Sequence, residues 1–188
     1  MQNVGEEIAG EYLKIIKGCS FVEYNLYTPD VQGEIDVVGV DVLSNVLYVC
    51  EVAVHLVTGL QYVNAKVKQP DNVNRFLKKF AKNIEYAEKY FGNYEKIFML
   101  WSPIVKNQAE GTKHNQLKDV LQIQSQLLGK YGYNLELMIN ERYQECLDQL
   151  REYARRETKE LKSSVLRTMQ IEEKLKGHIS WLKKRNSL

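Results

Sequence analysis

The sequence predicts an α/β fold, a mixed β-sheet flanked by helices, with a helical extension at its C-terminus. Three features predict it. Residues 33–55 contain two β-branched, nearly continuous apolar runs separated by a turn, the pattern of a hairpin covered on both faces. Behind the hairpin, segments with apolar residues at helical spacing alternate with short apolar strands. From residue 141 to 188 only helical periodicity remains, so the chain divides into a core over 1–140 and an extension over 141–188. With 188 residues and 44% hydrophobic content, the chain is long enough to bury a core as one domain.

The elements follow in order. Residues 5–17 place Ile8, Tyr12, Leu13, Ile15 and Ile16 on a helical period, and Gly18 stops the helix. Residues 21–27 form a first strand, and residues 29–33, with Pro29 and Gly33, approach the hairpin. Ile35, Val37, Val38 and Val40 lead to a turn over 41–45, and residues 46–50 lead out again. Residues 56–71 are irregular. Residues 72–91 are an amphipathic helix whose apolar stripe includes Phe76, Leu77, Phe80, Ile84 and Ala87. Arg75, Lys78, Lys79 and Lys82 lie mostly on its other side. Residues 96–105 are an apolar strand in which Trp101 reads as core, because apolar neighbours flank it. A further helix over 114–130 is expected to bury Leu117, Val120, Leu121, Ile123, Leu127 and Leu128, and residues 134–140 are a fifth strand.

No run of about 18 apolar residues is present, which argues against a membrane-spanning helix. The first residues are acidic and amphipathic, unlike a signal peptide. Cys19, Cys50 and Cys146 are odd in number and widely spaced, which suits free thiols in a reducing cytoplasm and disfavours zinc. Charge is uneven: residues 151–188 hold 11 Lys/Arg against 5 Asp/Glu (+6), leaving 15 against 19 (−4) before them. A basic tail on a weakly acidic core suits a polyanion partner. Its apolar residues, Leu147 through Leu182, equally suit packing on the core or a homodimer through these helices.

Two carboxylates interrupt the apolar hairpin, Asp36 on its first strand and Glu51 near the end of its second. A buried lone carboxylate costs several kcal/mol unless it is paired, hydrogen-bonded or bound to a cation. Two on adjacent strands suggest a divalent metal, although solvated carboxylates near strand ends are about as common on spacing alone. The string GEIDVVG over 33–39, a short turn and LYVCEV over 47–52 resemble the core motif of the PD-(D/E)XK, or restriction-endonuclease-like, nuclease superfamily. The likeness is greatest to its archaeal Holliday-junction resolvases and small bacterial YraN-type proteins. Gly5-Glu6, Ala9 and Tyr12-Leu13 are similar to that family's opening helix, so the resemblance covers residues 5–55.

The resemblance implies an αβββαβ core, DNA as the substrate, and a Mg²⁺ (or Mn²⁺) held by Asp36, Glu51 and the backbone carbonyl of Val52. It implies that Glu6 assists from the helix, whereas Glu7 and Glu11 suit the positive helix N-terminus. Glu34 fits a supporting carboxylate or a solvated one. The chain departs from the family pattern at position 53, where lysine is replaced by Ala53. A natural replacement, a nuclease without turnover and an inactivating substitution all fit that alanine. If residues 51, 53 and 55 share a strand face, His55 is one candidate for the absent lysine's role; Lys66, Lys68 and Lys78 are others. Lys66, Lys68, Arg75, Lys78 and Lys79 are the candidate contacts to a nucleic-acid backbone. The expectation is a metal-dependent DNA endonuclease, slow or inactive for want of the lysine. A non-catalytic DNA-binding or assembly module and a helical scaffold are the alternatives.

Overall fold

The computed structural model describes residues 3–28, 33–64, 69–109, 111–112 and 114–186. In chain order its elements are α1 (Val4–Ile15), β1 (Phe21–Thr28), β2 (Gly33–Asp41), β3 (Val46–Val52), β4 (Val63–Asn64), β5 (Gln69–Pro70) and α2 (Asn72–Tyr90). Then come β6 (Glu95–Ser102), α3 (Gln116–Tyr131), β7 (Glu136–Ile139), α4 (Asn140–Arg156) and α5 (Ser164–Asn186). Residues 29–32, expected as the approach to the hairpin, lie outside the described residues, as do Lys66 and Lys68. None of the described helices is long and apolar enough to cross a membrane.

Five strands form a mixed sheet in the order β1-β2-β3-β6-β7. β1–β2 and β2–β3 pair antiparallel, while β3–β6 and β6–β7 pair parallel. The β2–β3 turn closes on Asp41, whose Oδ1 accepts from the N–H groups of Leu43 (3.0 Å) and Ser44 (3.2 Å). A short side chain that satisfies backbone donors two and three residues on stabilises a tight turn. Parallel strands need a crossover. α2 supplies one between β3 and β6, and α3 the other between β6 and β7.

Strand alternation sends side chains to two buried layers. Tyr48, Cys50, Met99, Trp101 and Met138 pack beneath α1, α4 and the first half of α5, against Ala9, Leu13, Tyr143, Leu150 and Leu166. Leu47, Val49, Phe98 and Leu100 pack on the opposite side with Phe76, Phe80, Val120 and Ile123 from α2 and α3. Leu121 and Leu128, expected on the buried stripe of α3, are instead about half exposed, because the helix turns only Val120, Ile123 and Leu127 fully to the sheet. The start of the C-terminal helical segment thus completes one face of the sheet. Trp101 is fully buried, and all three cysteines are buried and unpaired. Burial pushes the Cys19 and Cys146 thiols up to about 11.

α1 lies close on the sheet because glycines admit it. A side chain at Gly39 would meet Leu13 Cδ1 at 2.8 Å and Cys19 Sγ at 2.9 Å, and one at Gly5 would collide with Val54. Close approach of backbones is the use of glycine here.

Candidate active site

Asp36 and Glu51 reach one another because β2 and β3 are neighbours, with Val37 paired to Cys50. Glu51 shares the α2 side of β3 with Leu47 and Val49, whose alternation fixes its direction. On β2 the alternation breaks at Asp36: Ile35 belongs to the α2 side, and Val37, two residues on, to the α1 side. Across from Asp36 in the register set by Tyr24↔Val37 and Leu26↔Ile35 stands Asn25, with a φ of 52°. An irregular strand that re-aims a side chain is a recurrent feature beside functional sites.

Each carboxylate has one oxygen fixed by a neutral donor. Asp36 Oδ2 accepts from the Val52 backbone N–H at 2.7 Å, and Glu51 Oε1 accepts from Asn83 Nδ2 at 2.7 Å. The other oxygens face one cation, the ammonium of Lys79 on α2. It donates to Glu51 Oε2 and lies 3.6 Å from Asp36 Oδ1. Lys79 and Asn83 are four residues apart, so one helix face delivers both. The Glu51 side chain is 0% exposed, Asp36 16% and Lys79 36%, so the centre opens to solvent along Asp36 and Lys79.

The electrostatics follow from burial. Loss of solvent, then the charge of Asp36, pushes the Glu51 carboxyl up to about 7, against the opposing pull of Lys79 and Asn83. Burial works against the Lys79 charge, but Glu51 and Asp36 together outweigh it and hold the ammonium above its ordinary range. The lysine is therefore charged at neutral pH.

Of the remaining sequence-derived residues, Val52, Ala53 and His55 line one hollow of about 390 Å³ with Asn3, Gly5 and Tyr62, and the others are dispersed. Ala53 is 2% exposed, in the same buried cluster as Leu60, Phe76 and Phe80. β3 ends at Val52, so strand alternation does not carry through to His55, which packs edge-on to Tyr62 at 5.2 Å. Val52 enters the centre through its N–H rather than through an observed contact of its carbonyl. Glu6 completes a capping box with Asn3 and accepts from Asn25 Nδ2 at 3.3 Å, so it is tied to the strand residue opposite Asp36. Arg75 lies over the Tyr62 ring, 4.0 Å from its centre. Lys78 lines a different hollow, between α2 and α3, with Gln126 and Lys130. Glu34 is exposed.

Two asparagines escaped the sequence reading. Asn83 orients Glu51. Asn72, 1% exposed, accepts from Tyr62 N and donates to Leu60 O and Asp119 Oδ2, each at 2.8 Å. It holds the loop after β3 against the start of α2. The available signal was polar residues at positions 72 and 83, on the stripe that also holds Phe76, Phe80 and Ala87.

Comparison with known proteins finds no matching family model, curated protein or solved structure.

Among the described residues no group of three or more His, Cys, Asp or Glu side chains is arranged to hold a metal ion. Glu6 does not join Asp36 and Glu51 as a third ligand. A Mg²⁺ site needs less, since this ion is commonly held by one or two carboxylates and keeps several waters. Two hard oxygens that face one point, each with its partner oxygen already tied down, fit that requirement.

Proposed function

We propose that the chain is a divalent-metal-dependent DNA endonuclease of the PD-(D/E)XK kind, in which Lys79 fills the role of the lysine absent at position 53. One observation carries the reading: Asp36 and Glu51 turn one oxygen each toward a single point, and an ammonium from a neighbouring helix already stands there. The order α1, β1, β2, β3, α2, β6, with an antiparallel hairpin followed by a parallel strand, is consistent with the αβββαβ core.

Asp36 and Glu51 would hold the Mg²⁺ or Mn²⁺, with the Val52 carbonyl as a further oxygen donor. The ion, when bound, supplies Lewis acidity and neutralises charge during phosphodiester hydrolysis. The protein's own groups do the rest. Val52 N–H and Asn83 hold one oxygen of each carboxylate, so the pair is already oriented and the rearrangement on binding a cation falls on Lys79. Lys79 has a four-carbon stem, and on yielding its place to a cation it stays close enough to donate to the attacking water or to a non-bridging phosphate oxygen. Arg75, exposed on the same helix one turn earlier, adds positive charge for the substrate backbone.

A second reading has its own observation. Lys79 balances the pair without any metal once one carboxyl is protonated, as the raised Glu51 carboxyl allows, so the centre is electrostatically complete in that form. That suits a DNA-binding or assembly module that has no turnover. Plasmid DNA incubated with the protein in Mg²⁺, in Mn²⁺ and in EDTA separates the two. The nuclease reading expects metal-dependent nicking that Asp36→Asn and Glu51→Gln abolish. Salt-dependent DNA binding without nicking in either metal would establish the second reading instead.

A further inference from the structure

Beyond Gln170, α5 is largely exposed, although Lys174 Nζ reaches back to donate to Arg155 O of α4 at 3.1 Å. From Ile171 to Arg185 every residue except Glu173 is exposed, although the segment is continuous helix. Isolated helices of this length are marginal in water, and an apolar face normally stabilises them by packing. Such a face is present and uncovered: Ile171 is 55% exposed, Leu175 53%, Ile179 42% and Leu182 38%. Their spacing of four, four and three residues puts them on one stripe.

The charges beside the stripe indicate what covers it. Glu172 and Lys183 lie on the same edge, three turns apart, while Lys174 and Trp181 lie on the opposite edge. We propose that this stripe pairs antiparallel with the same stripe of a second copy, about a two-fold axis passing between Gly177 and His178. That single register places Ile171 and Leu175 of one copy against Leu182 and Ile179 of the other. It sets Glu172 against Lys183 of the second copy along one edge; along the other, Lys174 donates to Arg155 O of its own chain and the Trp181 ring stacks on His178 beneath Arg185. Two-fold axes make an interface self-complementary, and this pattern of opposite charges at mirrored positions is self-complementary only when the helices run antiparallel.

The neighbourhood accommodates the second helix. At the base of the stripe is a hollow of about 310 Å³ lined by Val4, Val165, Met169 and Glu172. In the antiparallel register the C-terminal end of the second copy's α5 lies beside it. The helix from Ile171 onward is about 24 Å long, which gives an interface at the small end of the range for specific dimers and a dissociation constant of the weak, transient class. The inference is independent of the nuclease reading.

Sedimentation equilibrium on the full chain from about 1 to 300 µM brackets that constant. The expected result is a monomer–dimer equilibrium with its midpoint inside this span. Leu175→Glu combined with Ile179→Glu should leave a monomer throughout, with unchanged amide-exchange protection of the β-sheet because both residues are exposed. Glu172→Lys and Lys183→Glu should each weaken the dimer several-fold, and the two together should restore it to within about two-fold, since the pairs re-form with their signs exchanged. A wild-type chain that stays monomeric across the range overturns the proposal, whether another protein or DNA is what covers the stripe. So does a dimer that survives the double glutamate variant. Charge reversals that add rather than cancel overturn the antiparallel register.

Discussion

Lys79 of α2 donates to Glu51 of β3 and lies 3.6 Å from Asp36 of β2, so one ammonium joins three elements at the open edge of the α2 layer. A lysine in that place, and an alanine in the core at position 53, are two sides of one arrangement. The cation comes from the helix that packs on the strand, and the strand position is left to apolar packing.

If Lys79 positions the reacting groups, Lys79→Met should lower Mg²⁺-dependent DNA cleavage by about 10²–10⁴-fold, the usual worth of a positioned acid–base group. His55→Ala, whose ring packs on Tyr62, should cost far less. Binding of the metal is read separately, as a Mg²⁺-dependent rise in melting temperature. That rise should survive in Lys79→Met and disappear in the Asp36→Asn, Glu51→Gln double variant. A Lys79→Met enzyme with wild-type rate would remove Lys79 from the chemistry.

On the proposed reading, placing at position 53 the lysine of the motif that the hairpin resembles should not raise activity. Ala53 is 2% exposed, within a cluster that includes Phe76 and Phe80. A long ammonium there would have to leave the apolar cluster for the hollow that Ala53 lines with His55 and Tyr62, at a cost of about 1–3 kcal/mol. Urea denaturation of Ala53→Lys should show that loss, and an unchanged or stabilised protein with faster cleavage would contradict it.

Glu51 makes the metal-free protein sensitive to pH. Its carboxyl is pushed up to about 7 from an unfolded-state value of 4.5, so between those values the folded protein keeps a proton that the unfolded chain has lost. Stability from this group is complete below pH 4.5 and is lost as pH rises to about 7, on the order of 3 kcal/mol. In EDTA, the wild type should therefore weaken relative to Glu51→Gln between pH 5 and pH 8, by roughly that amount. A difference that is constant across the range would mean that Glu51 is charged throughout.

The hairpin, α2 and their order were legible because period-two and period-3.6 patterns report burial directly, and the Asp36–Glu51 pair stood out against apolar strands. Lys79 was legible only as a surface lysine. A helical wheel places it beside the polar face, and only the tertiary arrangement shows that the β2–β3 carboxylates lie within its reach. Asn83 was the visible clue, because a polar residue on an apolar stripe needs a partner. The tail illustrates the same limit. Leu166 and Leu175 belong to one helix and one residue type, yet the first is 2% exposed and the second 53%. Periodicity marks a face as apolar without saying what covers it.

Glu7 supplies the last test. In the sequence it suits the dipole of its own helix, but its carboxylate reaches the start of α5, accepting from Ser163 Oγ at 2.8 Å, Ser164 Oγ at 2.5 Å and Val165 N at 3.2 Å. A carboxylate from α1 thus caps a helix more than 150 residues away, where the positive end of α5 favours its charge. Partial burial raises its pKa, but the hydrogen bonds from Ser164, Ser163 and Val165 outweigh that and hold it below its ordinary value of 4.5. A depressed carboxyl contributes stability that is present above the unfolded value and is lost as pH falls through the folded one. Glu7→Gln keeps the shape and removes the charge, so it should cost about 1 kcal/mol at pH 7 and progressively less below pH 4. Amide hydrogen exchange should show the loss first in the opening turn of α5. A penalty of the same size at pH 3.5 as at pH 7 would assign Glu7 to packing and not to the capping charge.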